Sequence, residues 1–315
     1  MHRIKATTYK FLINILLRLP DVFYAILFAV VFPIYKVLHK KRAYGRVEKH
    51  LELARQYLAE NSINCAELAK VNPRDTFKGI FWNALESYRG LARFKSVEKR
   101  IVYENEHIIQ GAIAECAKQN APIAGISIHQ GAFELLHRAL CRYSEHVHLI
   151  TDSIGDMAFR EVLKDLRSDP HLTEYHPDET GRLIRELFRT KGILAMVIDQ
   201  GKHTKGNTVS LFGHPSTLYL RLPQKINEMG AGVVTFRTWS EKKRIVIRFE
   251  SYYPPKYDIQ HGRETSARLY DQSIKNAAPS ESPLVTGIAR EVETWIAEHP
   301  EQWSWNYHGN FTTTL

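Results

Sequence analysis

A histidine and a glutamate five positions apart carry the first sign of chemistry in this 315-residue chain. They stand in the run His129-Gln-Gly-Ala-Phe-Glu134, directly after an apolar stretch at 121–128. On one continuous helix the two side chains would point about 140° apart. If His129 lies on a turn and Glu134 lies in the first turn of a helix, the side chains can converge. An imidazole oriented by a carboxylate is the arrangement that takes a proton from a hydroxyl group.

The same pair also fits a surface histidine in a loop and a carboxylate that favours a helix N-terminus, so the surrounding elements matter. From about residue 101, apolar strand patterns alternate with helical patterns, which predicts an α/β fold with a mostly parallel central sheet and flanking helices. The strands are predicted at 123–128, 147–151, 193–198, 232–238 and 244–251, and the helices at 105–119, 131–143, 157–167, 180–190, 218–229 and 282–299. The last two strands, joined by 240–243, predict an antiparallel hairpin at one edge.

This order of elements predicts where distant residues meet. In open α/β sheets, active sites gather beyond the carboxyl ends of the strands. His129 follows one predicted strand, Asp199 and Gln200 follow another, and Arg237 lies near the end of a third. We therefore expect these residues to line one cleft.

A second group of candidate binding residues follows Gln200. Lys202 adds positive charge, and Gly213, in the run 211–217, permits a close turn or a close backbone approach to a ligand. The alternative is an ordinary connection between elements, in which Asp and Gly are turn residues.

The net charge of +9 is concentrated at the N-terminus, because residues 1–50 hold ten Lys and Arg against two acidic residues. Between these charges lies an uncharged run of fourteen residues, 22–35. It is shorter than the roughly 20 residues of a straight membrane span, and basic residues follow it where a signal peptide would have a cleavage site. We interpret 1–45 as an uncleaved membrane-associating segment, either a short span or an interfacial helix. A buried core helix is the alternative.

Other functional classes are disfavoured. The three cysteines are far apart and form no CxxC pair, so neither a metal site nor a disulfide framework is predicted, and no cofactor is implied. A Gly-x-Ser-x-Gly elbow, which would suggest a lipid hydrolase, is absent from the sequence. Nucleic-acid binding is disfavoured because the charge is confined to the apolar N-terminal segment.

The ordered set of segments resembles the lauroyl/myristoyl acyltransferase family of bacterial lipid A biosynthesis, within the lysophospholipid acyltransferase group. The resemblance covers an apolar basic N-terminus, the H-x4-E pair, a strand that ends in Asp199-Gln200, the stretch Phe212-Gly-x-Pro-x-Thr217, and the ending Pro300-x-x-Trp-x-Trp305. It implies a glycerolipid-acyltransferase-like domain at 46–315, bound to the cytoplasmic face of the bacterial inner membrane. Its reaction would move an acyl chain from acyl carrier protein or acyl-CoA to a hydroxyl of a lipid A-like glycolipid, in the pathway to lipopolysaccharide.

By this resemblance, His129 is the general base, Glu134 orients it, and no acyl-enzyme forms. Asp199 and Gln200 would bind the acceptor or hold the cleft together. The family has a segment rich in Arg and Asn after its second strand, which 150–155 match poorly, so Arg160 is only a loose candidate there. The tail also departs from the family, which leaves the acceptor open. A lysophospholipid, a phosphatidylinositol mannoside or an aminolipid are alternatives, and so is a lipid-binding relative without catalysis.

Overall fold

The computed structural model describes residues 7–9, 11, 13, 15–63, 65–151, 157–200, 205–241, 244–258, 263–264 and 282–306. Lys202, predicted to bind substrate, lies outside the described residues, as do residues 152–155 of the segment 150–155 that matches the family's Arg- and Asn-rich motif poorly. The described elements form a mixed α/β structure around a seven-stranded, mostly parallel sheet. This confirms the fold class predicted from the alternating sequence pattern.

The sheet has the strand order β1-β9-β8-β2-β5-β3-β4. Strands β8, β2, β5, β3 and β4 are parallel, whereas β9 pairs antiparallel with β8 and parallel with β1. The β8–β9 hairpin confirms the predicted antiparallel pair. The strands are β1 (Ile101–Glu104), β2 (Ile123–Ser127), β3 (Val147–Ile150), β4 (Leu172–Tyr175), β5 (Ile193–Val197), β6 (Asn207–Leu211), β7 (His214–Leu218), β8 (Gly232–Glu241), β9 (Arg244–Tyr253), β10 (Tyr257–Asp258) and β11 (Arg263–Glu264).

Helices cover both faces of the sheet. The α-helices are α1 (Asp21–His39), α2 (Gly45–Glu60), α3 (Ala66–Lys70), α4 (Pro73–Ala92), α5 (Phe94–Val97), α6 (Glu106–Lys118), α7 (Leu136–Leu140), α8 (Met157–Arg167), α9 (Thr180–Thr190), α10 (Arg221–Glu228) and α11 (Pro283–Glu298). A π-helical stretch, Lys40–Tyr44, joins α1 to α2, and 3-10 turns form at Glu98–Arg100, Phe133–Leu135, Pro177–Glu179 and Pro300–Gln302.

Strand β2 shows why this sheet is buried on both sides. Ala124 and Ile126 pack into one apolar core with α2, α9, α10 and α11, whereas Ile123 packs into a second core with α6 and α7. Successive side chains of a strand point to opposite faces. A parallel strand between two helical layers is therefore buried along its whole length, as all five residues of β2 are.

The connections that follow β2 and β5 leave the sheet on opposite faces. The connection after β2 carries α7, which packs into the second core, whereas the connection after β5 carries α10, which packs into the first. Connections that diverge in this way open a crevice at the carboxyl ends of the two strands.

Two local predictions were wrong, and one strand was not predicted. The helix expected at 131–143 begins instead as a 3-10 turn at Phe133–Leu135 and continues only as α7. The connection expected after β5 contains a two-stranded hairpin, β6–β7, before the next helix begins at Arg221. Strand β1, which pairs with β9, was not predicted.

Among the described residues, one helix, α1, is long and apolar enough to cross a membrane by length and composition alone. Only Tyr24 and Phe32 of its 19 residues are buried. The helix packs on α4, which begins with a capping box between Asn72 and Asp75 and with Pro73 at its start.

Candidate active site

The register of two parallel strands places His129 beside Asp199. Ser127 of β2 lies opposite Val197 of β5, and the amide of Ile198 donates to the Ser127 carbonyl at 2.9 Å. Two residues beyond the end of each strand, the His129 amide lies 3.1 Å and 3.2 Å from the Asp199 carboxylate oxygens. The imidazole Nδ1 lies 2.7 Å from Oδ1 of the same carboxylate. The two residues, seventy positions apart, are thus in direct contact.

The Asp199 carboxylate is fully buried, but it is surrounded by donors. Besides the two groups of His129, the indole nitrogen of Trp303 donates to Oδ2 at 3.0 Å. The Asp199 side chain has no exposed surface, whereas 16% of the His129 side chain is exposed. A buried carboxylate is stable when several hydrogen bonds satisfy it. This one is held beneath a histidine that reaches the surface.

The contact with Asp199 determines which nitrogen of His129 can act on a ligand. A carboxylate accepts, so Nδ1 carries the proton and donates to Oδ1. The opposite nitrogen, Nε2, then has the lone pair that can take a proton. The Phe133 ring packs edge-on against the imidazole, with 4.5 Å between the ring centroids, and restricts its rotation.

The end of the described chain contacts the turn that carries His129. Trp303 forms a bridge with Gln130, and the Gly131 amide donates to the Gln302 carbonyl at 3.2 Å. The Gln302 side chain binds the backbone of Ser240 in β8 through both its oxygen and its nitrogen. Residues 300–305, the C-terminal segment, therefore tie the turn after β2 to the neighbouring strand.

Gly131 is required by the path of this turn. Its φ of +56° is in the left-handed region, and a Cβ atom there would lie 2.5 Å from the Thr238 carbonyl oxygen. The chain thus turns sharply after His129 instead of entering a helix. This turn explains why the five-residue step to Glu134 does not follow helical geometry.

Glu134 pairs with a residue that the sequence analysis did not single out. Arg167, at the end of α8, donates from Nε to Oε2 at 2.9 Å and from Nη2 to Oε1 at 2.7 Å. The carboxylate seen at Nδ1 of His129 belongs to Asp199, and the orienting role expected for Glu134 stays a prediction. Glu134 instead fixes a guanidinium in two-pronged geometry.

Electrostatic interactions keep both members of the Glu134–Arg167 pair charged. Burial alone raises the pKa of the Glu134 carboxyl, but the charge and hydrogen bonds of Arg167, with smaller contributions from His137 and His129, shift the pKa below its usual value. Burial likewise lowers the pKa of Arg167, and Glu134 more than offsets that effect, so the pKa is raised. Because His129 contributes to this balance, the two pairs are electrostatic neighbours.

The site therefore combines a histidine that can accept a proton with a buried anion beneath it and a charged arginine nearby. The family model described as bacterial lipid A biosynthesis acyltransferase matches residues 90–310, which is 221 of the 315 residues. The chain belongs to this family. Both pairs of the site lie within the matched range, and the family-level activity is acyl transfer. No individually curated protein matches the chain.

In this acyltransferase, the other predicted binding residues lie in different environments. Gln200 is exposed directly after Asp199, and Arg160 is exposed on α8, whose Arg167 makes the pair with Glu134. Arg237 is buried and ion-paired with Glu250 and Glu298, at 2.6 Å and 2.5 Å. Its place in the binding site stays a prediction.

Gly213 lies in the turn of the β6–β7 hairpin, with a φ of +72°. A Cβ atom there would lie 2.6 Å from the Tyr57 ring, so the glycine allows the hairpin to pack on α2. The adjacent Phe212 stacks on Trp305, which contacts Trp303. A direct role of Gly213 with substrate stays a prediction.

Two side chains of the candidate site were not identified as site residues from the sequence. Trp303 entered the sequence analysis only as part of the ending 300–305; its ring is fully buried, and its indole donates to Asp199. Arg167 closes the predicted helix 157–167 and lies seven residues after Arg160, about two turns further on the same face. A search for a basic residue on that helix face would have included it.

Proposed function

We propose that this acyltransferase moves a fatty acyl chain from a thioester, on acyl carrier protein or coenzyme A, to a hydroxyl group of a lipid A-like glycolipid, with His129 as the general base. The observation that carries the proposal is the bond from His129 Nδ1 to the buried Asp199 carboxylate. That bond leaves Nε2 as the proton acceptor, on an imidazole that retains access to solvent.

The reaction requires no acyl-enzyme. His129 Nε2 takes the proton of the acceptor hydroxyl while its oxygen attacks the thioester carbonyl, and a tetrahedral oxyanion forms. When the intermediate collapses, the bond between carbon and sulfur breaks and the thiolate receives the proton from the imidazolium. Asp199 stabilises that imidazolium and keeps the ring oriented, as the carboxylate of a catalytic triad does.

Arg167 is the proposed source of positive charge for the oxyanion, because the Gly131 amide already donates to Gln302. Glu134 then acts through Arg167, since its two oxygens hold the Nε and Nη2 groups of the guanidinium. This revises the role expected for Glu134 but keeps it in the site. Gln200, exposed beside Asp199, remains a candidate contact for the acceptor.

The proposed location is the cytoplasmic face of the bacterial inner membrane, with 1–45 as the membrane-associating segment and 46–315 as the catalytic domain. The exposed apolar surface of α1 supports membrane association. A lysophospholipid, a phosphatidylinositol mannoside or an aminolipid are alternative acceptors that present the same kind of nucleophile.

Mass spectrometry of total lipids from cells with and without the chain tests this function, with His129→Ala and Glu134→Ala as matched samples. We expect one lipid to gain an acyl chain only with the intact residues, which names the acceptor and the chain length together. An unchanged lipid profile, with the protein present in the membrane fraction, would contradict the proposal and favour a lipid-binding relative without catalysis.

Replacing Trp303 by phenylalanine should lower kcat by about tenfold and leave KM nearly unchanged, because one hydrogen bond to the buried charge of Asp199 is lost. Asp199 would also be held less firmly, so the imidazole that it contacts would be less well oriented. Steady-state kinetics with varied acceptor separate kcat from KM.

Trp305→Phe is the matched control, since Trp305 is equally buried but its indole donates to the Pro300 carbonyl at 2.7 Å. It should reduce stability to a similar extent without the tenfold loss in kcat. Equal losses in kcat in the two variants would mean that Trp303 acts only through packing.

A further inference from the structure

Helix α1 packs against α4 through a series of aromatic contacts. Tyr24 and Phe28 contact Phe81, with 6.2 Å and 5.6 Å between ring centroids, and Phe32 contacts Phe77 at 6.0 Å. Because residue numbers rise along α1 as they fall along α4, the two helices lie antiparallel and side by side. The contacts join one face of α1 to the outer face of α4.

The start of α1 is also fixed by charge. Arg89, in the last turn of α4, forms an ion pair with Asp21 and donates from Nη2 to the Leu19 carbonyl at 2.5 Å. The guanidinium lies over the Tyr24 ring, 4.9 Å from its centroid. This end of α1 is therefore held near the end of α4 that approaches the active site.

Helix α4 is itself part of the catalytic core. Asn83 donates to the Gln302 carbonyl at 2.8 Å, and a Cβ atom on Gly79 would lie 1.8 Å from the Glu301 carbonyl oxygen. Gly90 packs closely on the Leu135 side chain. Since α4 cannot leave this packing without disturbing the site, α1 rests on a rigid support.

The opposite face of α1 is apolar and exposed. The most exposed positions recur every three or four residues, which places them on one stripe of the helix. Val37 is 77% exposed and Val22 is 65% exposed, at the two ends of the stripe. The stripe consists of Val22, Ile26, Val30, Ile34, Val37 and Leu38.

A perpendicular span is incompatible with this packing. At 19 residues α1 is about 28 Å long, so burying all of it in hydrocarbon would carry α4 into the bilayer beside it. Helix α4 bears several charged residues, whose burial in hydrocarbon is costly. They are Arg74, Asp75, Lys78, Glu86 and Arg89.

We propose that α1 lies along the membrane surface instead of crossing the bilayer, with its exposed stripe in the lipid and α4 between it and the catalytic site. The charge pattern specifies a bilayer containing anionic phospholipid, because exposed basic residues flank the stripe at both ends. These residues are Arg18, Lys36, Lys40 and Arg42. The one acidic residue of α1, Asp21, is paired with Arg89.

This arrangement rests on the proposed function for its biological meaning, since it brings the site close to lipid. Helix α4 joins α1 to the segment that carries Glu134, because its Phe81 contacts α1 and its Gly90 packs directly on Leu135. Packed helix axes lie about 8–10 Å apart. A lipid acceptor could therefore reach the site while its acyl chains stay in the bilayer.

Spin labels at Val22, Val30 and Val37 test the proposal in the full chain, with its three native cysteines replaced by alanine and Glu60→Cys as the water-exposed reference. Immersion depth is measured in vesicles of phosphatidylethanolamine and phosphatidylglycerol. We expect all three labels at similar depth, about 5–10 Å below the headgroups. In addition, the double variant Lys36→Gln, Lys40→Gln should bind these vesicles more than tenfold more weakly, because the loss of each charge should weaken binding roughly fivefold.

A profile with Val30 near the bilayer midplane and both end positions shallow would overturn the proposal in favour of a span. Labels as water-exposed as position 60 would overturn membrane docking altogether. Acyl transfer is measured on the same labelled chains. An interfacial profile without acyl transfer would contradict the proposed function but support the membrane docking. Acyl transfer with a spanning profile would support the proposed function but contradict the docking.

Discussion

Replacing His129 by alanine will lower kcat/KM for acyl transfer by about 10²–10⁴-fold, the usual contribution of a positioned acid–base group. The expectation follows from the position of the imidazole, which is the partly exposed member of a pair whose carboxylate is fully buried. The measurement is initial-rate transfer from a purified acyl thioester to the lipid acceptor identified by mass spectrometry.

His129→Gln is the sharper companion variant, because its side-chain amide can still donate to Asp199 but cannot act as a base at neutral pH. It should be as inactive as the alanine variant, while its unfolding temperature stays closer to that of the parent chain. Transfer above a tenth of the parent rate in either variant would place the base elsewhere.

The second large effect is expected for Asp199→Asn. The substitution keeps the shape of the side chain but removes the charge that stabilises an imidazolium, so kcat should fall by about 10²–10⁴-fold with little change in KM. An amide also cannot accept from the His129 amide, the imidazole and the Trp303 indole as a carboxylate does. Steady-state kinetics with varied acceptor separate kcat from KM.

Glu134→Gln distinguishes the two possible partners of His129. If Asp199 orients the ring, nitrogen NMR of the imidazole should show the Nδ1-protonated tautomer in Glu134→Gln and lose that preference in Asp199→Asn. The reverse result would restore Glu134 as the orienting partner. Activity alone does not decide this point, because Glu134 also holds Arg167.

The sequence predicted the meeting of His129 and Asp199 better than the partner of Glu134. Residues that follow adjacent parallel strands arrive at the same edge, so periodicity alone brings positions 129 and 199 together. The direction of Glu134 depends on the left-handed turn at Gly131 and the 3-10 turn after it. Such a path is decided by tertiary contacts, here with Thr238, which local patterns do not contain.

The same distinction applies to the fold. Apolar strands between helices were predictable because burial on both faces leaves a continuous pattern. The β6–β7 hairpin was missed because its strands are largely polar, with Pro215 in the second, and because its turn depends on a positive φ at both Phe212 and Gly213. Its register is supported from outside the hairpin, since the Phe212 amide donates to Glu293 on α11.

The support of the site by residues 300–305 has a consequence for how the protein is made. A ribosome synthesises the chain from its N-terminus, so α1 and β2 emerge long before Trp303. Until that residue arrives, the Asp199 carboxylate lacks its indole donor and the Gly131 turn lacks the Gln302 carbonyl. A nascent chain therefore carries the exposed stripe of α1, proposed to meet lipid, before the contacts around Asp199 are complete, and the proposed catalysis requires that residues 300–305 have been synthesised.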